Sequence, residues 1–325
     1  MKSIIFHHND HDGRMSGFIM YQYFETLGYE PVITREVNYG MPISLNDIES
    51  GDKVAIVDFS MEDAMIEAIE KLTDRSNIIW IDHHETAIER FKSQDSLAGI
   101  RYVGKAGCEL CWLYTQGYRI KHDGKLVNVK TSNGELEFVD INDVPIPDGI
   151  RLIGDWDMWR LTPTSRELMY GIKAYWTECE LTTVTGYNFW NDVAYVEAKR
   201  AELIEKGYVI QRYEEVCNIK ACKDYAYPCK LTKFQDFKCV AINSNARSSL
   251  VFQSVHNDYE IGIVFTYNPR HGMEGSMTFS IYRLGLNKDK DIDVSFIAKS
   301  YGGGGHHDAA GFSTNGTLPF FNFNF

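Results

Sequence analysis

The sequence has 325 residues, of which 44% are hydrophobic and 24% are charged, and its formal net charge at pH 7 is −12. This length predicts about two domains, and this composition is typical of a folded protein that buries a core. The negative charge argues against a basic surface that grips long duplexes through many phosphates. The sequence contains no apolar stretch of the roughly 20 residues needed to cross a bilayer. The N-terminus turns polar too soon for a signal peptide, so we expect a cytoplasmic protein with no membrane partner.

Three short apolar runs in the first hundred residues each end in side chains of the kind that bind metals. They are IIF at 4–6, followed by His8, Asp10 and Asp12; VAIV at 54–57, followed by Asp58; and IIWI at 78–81, followed by Asp82, His83 and His84. Continuous apolar runs of this length are typical of strands buried on both faces of a parallel sheet. Helix-like stretches, such as residues 61–69, separate them. Alternating strands and helices predict an α/β fold that binds ligands at the carboxyl ends of its strands.

A different pattern occupies residues 119–149, where the turn signals KTSNG and IPDG lie between pieces that contain Val and Ile. We expect a hairpin-like insertion here. The segment RLIGDWDMW at 151–159 follows it and is a fourth apolar run that ends in acids, Asp155 and Asp157. We expect this run to be another strand end.

The second half of the sequence predicts a linker helix and a smaller α/β domain. Residues 191–217 have helix-like apolar spacing, whereas apolar and polar residues alternate at 261–265 and 275–281 as in half-buried strands. A helix-like stretch at 294–300 precedes the motif YGGGGHHDAAGF at 301–312. We therefore predict a metal-binding catalytic domain at 1–190, a linker helix at 191–217 and a substrate-binding domain at 218–325.

The four polar clusters of the first domain predict a metal centre when they are taken together. Each alone has an ordinary explanation: the H-x-D-x-D pattern fits a solvated turn, Asp58 fits a helix cap and Asp155 fits a surface acid. Four such clusters at expected strand ends in one domain are much harder to explain in that way. Carboxylates combined with imidazoles suit Mn²⁺, or Mg²⁺. Two such ions about 4 Å apart are typical of phosphoester hydrolysis.

Four consecutive glycines at 302–305 fit either a flexible linker or an anion-binding loop. The compact sequence DAAGF that follows favours the loop, because successive glycines can turn their N–H groups towards a phosphate. The seven cysteines show no disulfide framework. Cys108 and Cys111 have the spacing of one helix face, which favours packing over redox chemistry or half of a zinc site. A zinc module built from Cys217, Cys222, Cys229 and Cys239 is disfavoured by their loose spacing.

These motifs resemble a known family. The four motifs of the DHH phosphoesterases are similar, in this order, to the segments HNDHDG, VDFS, IDHHET and GDWDMW. GGGGHHDAAGF resembles the glycine-rich motif of the DHH-associated C-terminal domain. The resemblance covers nearly the whole chain and implies a Mn²⁺ pair in the first domain, with Mg²⁺ or Co²⁺ as substitutes, and a substrate clamp in the second.

The resemblance also implies roles for individual residues. The metal ligands would be His8, Asp10, Asp12, Asp58, His83 and Asp155. Asp58 would bridge the ions, Asp82 would orient His83, and His84 would face the scissile phosphate. DWD offers two acids where one ligand is expected, so Asp157 is an alternative to Asp155. The substrate would contact Arg283, Gly303, Gly304, Gly305 and His306, with Arg247 as a further candidate.

The family resemblance leaves several substrates open. Absence of an added oligonucleotide-binding domain argues against a RecJ-type exonuclease of long single strands, and absence of sensor domains argues against a membrane-bound cyclic dinucleotide phosphodiesterase. The best match is a phosphodiesterase or exonuclease that converts short single-stranded oligonucleotides or dinucleotides to mononucleotides. The alternatives are a cyclic dinucleotide phosphodiesterase or a RecJ-like single-strand DNA exonuclease. A pyrophosphatase of the same fold and a catalytically silent nucleotide-binding regulator are the other interpretations. A homodimer, cleavage polarity and the choice of RNA or DNA stay open.

Overall fold

A computed structural model describes residues 1–39, 41–85, 97–120, 126–128, 137–245, 248–268, 276–287, 289–315 and 318–322. The chain divides into two compact units, Met1–Gln211 and Arg212–Phe325. Mixed α/β structure is present in both, as the sequence predicts. Within the described residues, no helix combines the length and the apolar character needed to cross a bilayer.

A parallel sheet organises the first unit. Its strands are β1 (Ser3–His8), β2 (Val32–Val37), β3 (Lys53–Val57) and β4 (Ile78–Ile81), in the order β2-β1-β3-β4. All three strand pairs are parallel. The apolar runs of the sequence form β1, β3 and β4, as predicted.

Alternate side chains of these strands face two separate cores, since successive residues of a strand point to opposite faces. Ile5, Ala55 and Ile79 pack on one face, whereas the neighbouring residues Ile56 and Trp80 pack on the other. Helices α1 (His11–Thr26) and α3 (Gly107–Thr115) contribute to the first core, and α2 (Asp63–Glu70) contributes to the second. Both faces of the sheet are therefore buried, which explains the uninterrupted apolar runs.

After α3, the described residues of the first unit form a small antiparallel sheet and then four helices. Its strands are β5 (Tyr118–Ile120), β6 (Leu126–Asn128) and β7 (Glu137–Val139), and they lie where the sequence predicts a hairpin-like insertion. The helices that follow are α4 (Asp148–Asp157), α5 (Pro163–Lys173), α6 (Val184–Tyr195) and α7 (Glu197–Tyr225).

Two of these helices differ from the sequence-based expectation. The run that ends in Asp155 and Asp157 is the helix α4, so the prediction of a strand end there was wrong. An apolar run this short does not let periodicity distinguish a buried strand from a buried helix. The helix-like stretch at 191–217 belongs to two helices, because Val196 has an extended backbone and separates α6 from α7.

The second unit is built on a mixed sheet of β8 (Tyr227–Leu231), β9 (Cys239–Asn243), β10 (Ile261–Asn268), β11 (Ser276–Arg283), β12 (Gly304–Gly305), β13 (Ala309–Thr314) and β14 (Phe320–Asn322). The strand order is β12-β13-β11-β10-β9-β8-β14, and among the described strands of this sheet only the β9–β10 pair is parallel. Helix α8 (Val294–Ser300) packs on one face through Val294 and Ile297. Cys222, at the end of α7, packs in the core of the other face.

Candidate metal centre

The turn between β1 and α1 brings His8 and Asp10 together. Asp10 caps α1, and its Oδ1 accepts a hydrogen bond of 2.8 Å from the N–H of Gly13. The other oxygen, Oδ2, lies 2.7 Å from Nδ1 of His8. Short acidic residues are preferred at this helix position because they satisfy an N–H that has no partner within the helix. The same cap therefore starts the helix and fixes a potential ligand pair.

Asp12 lies in the first turn of α1 and is held by the N-terminus of a second helix, α3. Its Oδ2 accepts from the N–H of Gly107 at 2.7 Å, and its Oδ1 accepts from the N–H of Cys108 at 2.8 Å. A helix N-terminus carries partial positive charge, which stabilises a carboxylate placed there. Asp12 is only 2% exposed, so this orientation is enforced by burial as well.

Asp58 follows β3 and has a left-handed backbone, with φ at 51°. Its N–H donates to the carbonyl of Ile81 at 2.9 Å, which holds the turn against the end of β4. The side chain is buried, and Oδ1 lies 3.1 Å from Nε2 of His83 without forming a hydrogen bond with it. Backbone strain and an unsatisfied buried oxygen at one residue are features that cluster at functional sites.

His83 and Asp157 complete the cluster. Nε2 of His83 lies 3.4 Å from Oδ2 of Asp157 and 3.8 Å from Oδ2 of Asp12. Ligand-type atoms of His8, Asp10 and Asp58 lie within 4.8 Å of one another, and so do those of Asp12, His83 and Asp157. These two groups adjoin each other, and a third group, formed by Asp58, His83 and His84, overlaps both.

Asp82 orients the ring of His84, a role that the resemblance assigned to it with respect to His83. Its Oδ1 lies 2.7 Å from Nδ1 of His84 and also accepts from the backbone N–H groups of His83 and His84, at 2.8 and 3.2 Å. Its Oδ2 accepts from the Ser60 hydroxyl at 2.6 Å. Burial acts to lower the pKa of His84, but the hydrogen bond to Asp82 outweighs it and raises that pKa to about 9. His84 is therefore a cation at neutral pH.

The structure places Asp157, and not Asp155, at the cluster. Asp155 instead accepts from Arg151 and Arg160, each at 2.9 Å. Arg160 also donates to the buried Glu109 at 2.6 Å. Asp155 is thus engaged in an ion-pair network beside the cluster. Asp157 lies two residues after Asp155 on α4. Its side chain points in a different direction, because residues two apart do not share a helix face.

The cluster is electrostatically unbalanced without a cation. Burial raises the pKa of Asp58 well above its usual range, and the charges of Asp12, Asp10 and Asp157 add to the effect. Burial, followed by the charge of Asp157, raises the pKa of Asp12 to about 6. Burial, followed by the charge of Asp10, raises the pKa of Asp157 to about 7. Carboxylates that repel one another in a buried site need protons or metal ions.

The donor set fits divalent metal ions. It combines carboxylate oxygens with imidazole nitrogens, and one buried oxygen, Oδ1 of Asp58, has no hydrogen-bond partner among the described residues. Hard oxygen ligands with imidazole suit Mn²⁺ and Mg²⁺. Burial lowers the pKa of His83, which keeps its ring neutral and able to coordinate.

In the second unit, the predicted substrate loop is largely engaged in its own packing. The N–H of Gly303 donates to the carbonyl of Ala298 at 2.9 Å, and that of His306 donates to the carbonyl of Ala309 at 2.8 Å. These two N–H groups are therefore used within the unit. A side chain on Gly303 would meet the carbonyl oxygen of Gly311 at 2.0 Å, and one on Gly305 would meet Cα of Ala310 at 2.5 Å. Close packing therefore explains why both positions are occupied by glycine.

The side chains predicted to contact substrate differ in their surroundings. Arg283 donates to Oδ1 of Asp308 and to the carbonyl of Lys290, both at 3.2 Å. The side chain of His306 is exposed. Arg247, the remaining predicted substrate residue, lies outside the described residues.

Comparison with known proteins relates the N-terminal part of the first unit to a family. Residues 2–134 match the model of the DHH family, N-terminal domain. These residues are therefore similar to a DHH domain. The match includes β1, β3 and β4 and the metal-cluster residues at or after their carboxyl ends, from His8 to His84. Asp157 lies beyond the matched residues of the DHH domain.

Other comparisons find similar proteins. An uncharacterized protein of Acanthamoeba polyphaga mimivirus is 24% identical over 340 residues, which cover 98% of this chain and 69% of that protein. The solved DHH domain of a protein assigned to a family of ribosomal proteins superposes with a TM-score of 0.56 at 13% identity, over 97% of this chain and 83% of that one. The pGpG-specific phosphodiesterase PggH from Vibrio cholerae gives a TM-score of 0.46 at 12% identity, over 96% and 93% of the two chains.

Sequence reasoning missed two contributors to the site. Gly107 donates its N–H to Asp12, and a side chain there would come within 2.7 Å of Cβ of Asp58. Ser60 donates its hydroxyl to Asp82. Ser60 belongs to the VDFS motif together with Asp58, so its place in the motif could have indicated a role at the site. Nothing in the sequence near Gly107 indicates that α3 begins at the metal cluster.

Proposed function

We propose that this chain is a metal-dependent phosphodiesterase that hydrolyses short single-stranded oligonucleotides or dinucleotides to mononucleotides. The observation that carries the proposal is the convergence of two three-ligand groups, His8-Asp10-Asp58 and Asp12-His83-Asp157, at the carboxyl edge of the parallel sheet. A pair of adjacent divalent ions is the usual arrangement for phosphoester hydrolysis. The match of residues 2–134 to the DHH family, together with the resemblance of all four motifs to the DHH phosphoesterases, supports the same reaction class.

The two groups would each hold one ion, with Asp58 shared between them. Mn²⁺ is the cation that we propose, with Mg²⁺ or Co²⁺ as substitutes. When bound, such ions supply Lewis-acid stabilisation of the phosphoryl oxygens and lower the pKa of a coordinated water. Asp157 takes the ligand role that the sequence resemblance gave to Asp155.

The protein's own groups position the substrate and neutralise charge. His84, which Asp82 holds as an imidazolium, would donate a hydrogen bond to a phosphate oxygen. Ser60 locks Asp82 from its other side, so the ring of His84 keeps one orientation. In the second unit, Arg283, Gly304 and His306 are the described residues that we propose as substrate contacts.

Substitution of Asp58 tests the metal proposal. Asp58→Ala should abolish hydrolysis of a dinucleotide in Mn²⁺ buffer, because it removes the carboxylate that we propose the two ions share. Asp47→Ala is a matched control, since Asp47 is half exposed and pairs with Arg35 outside the cluster. Excess chelator should stop the wild-type reaction, and robust hydrolysis in chelator would reject the two-metal proposal.

Substrate length separates this proposal from a RecJ-type exonuclease. We expect dinucleotides to pentanucleotides to be cleaved faster than long single strands, with mononucleotides as products. A clear preference for 50-mers would favour the RecJ-type activity. Turnover of pyrophosphate in place of a dinucleotide would favour a pyrophosphatase, and binding of nucleotides without turnover of any phosphoester would favour a silent regulator.

A further inference from the structure

A pocket of about 380 Å³ lies beside the metal centre in the first unit. Its lining includes Phe59, Ser60 and Met61, which follow Asp58 directly, and Tyr39 and Met41, which follow β2. Met65 of α2 lines the pocket as well. None of these residues belongs to the ligand groups of the metal centre.

Two aromatic rings connect the pocket to the metal centre. Tyr39 and Phe59 stack with their centroids 4.7 Å apart and their planes 28° apart. His8 lies 5.7 Å from Tyr39 and 6.2 Å from Phe59, measured between ring centroids. The Ser60 N–H donates to the Tyr39 hydroxyl at 3.3 Å, and the Ser60 hydroxyl donates to Asp82. A ligand with a phosphate at the cluster would therefore have these rings within reach.

The lining selects a flat, mostly apolar group. Methionines and aromatic rings dominate it, and among the described residues no Lys, Arg or His lines it. A second phosphate would find no cation there. Polar atoms are available from Asn38 and Glu62, which could bond the edge of a ring. Thioethers and aromatic rings pack well against a planar π-system, and the volume falls in the range of small-molecule sites.

We propose that this pocket binds the nucleobase of the nucleotide whose phosphate lies at the metal centre. The position of the phosphate rests on the function proposed above. The base would stack against Tyr39 and reach the sulfur atoms of Met41 and Met65. The pocket thus makes the first unit selective for nucleotides over sugar phosphates that lack a base.

Binding of AMP and of ribose 5-phosphate, compared by calorimetry in Mn²⁺ buffer, tests this inference. Wild-type protein should bind AMP about 5- to 140-fold more tightly, the effect of stacking one base on an aromatic side chain. Ala64→Phe, which fills the pocket from α2, should bring the affinity ratio close to one and leave Mn²⁺ affinity unchanged. Ala201→Phe is the control, because Ala201 is exposed on α7 away from the pocket.

Tyr39→Leu gives a second test that keeps the side chain apolar but removes the ring. It should lower the AMP preference, whereas Tyr208→Leu, at a similarly exposed tyrosine of α7, should not. Equal affinity for AMP and ribose 5-phosphate in wild type, or a ratio that survives both pocket variants, would overturn the inference. If no phosphodiester is hydrolysed but the ratio is lost in both variants, the base pocket stands and the proposed function fails.

Discussion

At the scale of single residues, the site depends on which of the two acids in the DWD motif points towards the metal cluster. Asp155 and Asp157 share α4, but only Asp157 approaches His83, whereas Asp155 is bound by Arg151 and Arg160. Sequence alone shows both acids and cannot choose between them, since the choice depends on how α4 is rotated against the sheet. Packing of the helix makes that choice.

The first prediction follows from this difference. Asp157→Asn should lower Mn²⁺ affinity at least about 100-fold, because even the loss of a residue that supports a metal ligand costs about 10- to 100-fold. Asp155→Asn should keep Mn²⁺ affinity within about twofold and lower stability by about 1 kcal/mol through its weakened bonds to arginine. Calorimetric titration of both variants checks this, and a larger loss of affinity in Asp155→Asn would return that residue to the ligand set.

A second residue-scale prediction concerns Gly107, where an added Cβ would lie 2.7 Å from Cβ of Asp58 and 2.9 Å from its Oδ1. Gly107→Ala should displace Asp58 and weaken Mn²⁺ binding by about 10-fold or more, with an overpacking cost of about 1–3 kcal/mol. Metal titration of the folded variant and its thermal unfolding measure the two effects separately. Wild-type Mn²⁺ affinity in this variant would show that Asp58 is not a ligand.

At the scale of elements, β12 and β13 show why consecutive glycines need not share a role. Gly303 and Gly305 pack too closely on β13 to carry a side chain, and Gly305 also has a φ of 144°. Gly304 has open space at its Cβ position. The sequence motif predicts one anion-binding loop, whereas the sheet assigns packing roles to two of its glycines.

Paired alanine substitutions separate packing from binding in this loop. Gly303→Ala should lower the free energy of unfolding by about 1–3 kcal/mol, because its Cβ would meet the carbonyl oxygen of Gly311. Gly304→Ala should leave stability nearly unchanged. Chemical denaturation checks both variants. Equal destabilisation would contradict the packing explanation, and a loss of nucleotide affinity in Gly304→Ala alone would support a substrate role for that residue.

At the scale of the whole molecule, the buried carboxylates couple stability to pH and to metal. Burial raises the pKa values of Asp12 and Asp157 to about 6 and about 7, above an ordinary value of 3.8. Between about pH 4 and 7, the folded metal-free protein therefore still holds protons on these carboxylates, whereas the unfolded chain has already released them. This contribution to stability is fully present below about pH 4 and is lost as the pH rises through the raised pKa values.

Thermal unfolding should show this coupling directly. In chelator, we expect the cluster to contribute less stability at about pH 8 than at about pH 5, whereas added Mn²⁺ should raise the Tm most at the higher pH, where the carboxylates are ionised. Asp157→Asn should reduce both the pH dependence and the effect of Mn²⁺. An effect of Mn²⁺ on Tm that is equal at the two pH values would contradict a carboxylate cluster with raised pKa values.

The sequence by itself determined the class of this protein: buried apolar runs followed by Asp and His predict a parallel sheet with a metal site at its carboxyl edge. It could do so because strand burial and ligand chemistry are local properties of a few adjacent residues. It did not determine that α4 is a helix, that α3 supplies N–H groups to Asp12, or that a pocket adjoins His8. Those features depend on how distant elements pack against one another, and only the tertiary structure decides that, because side-chain direction and close approach are set by neighbours far along the chain.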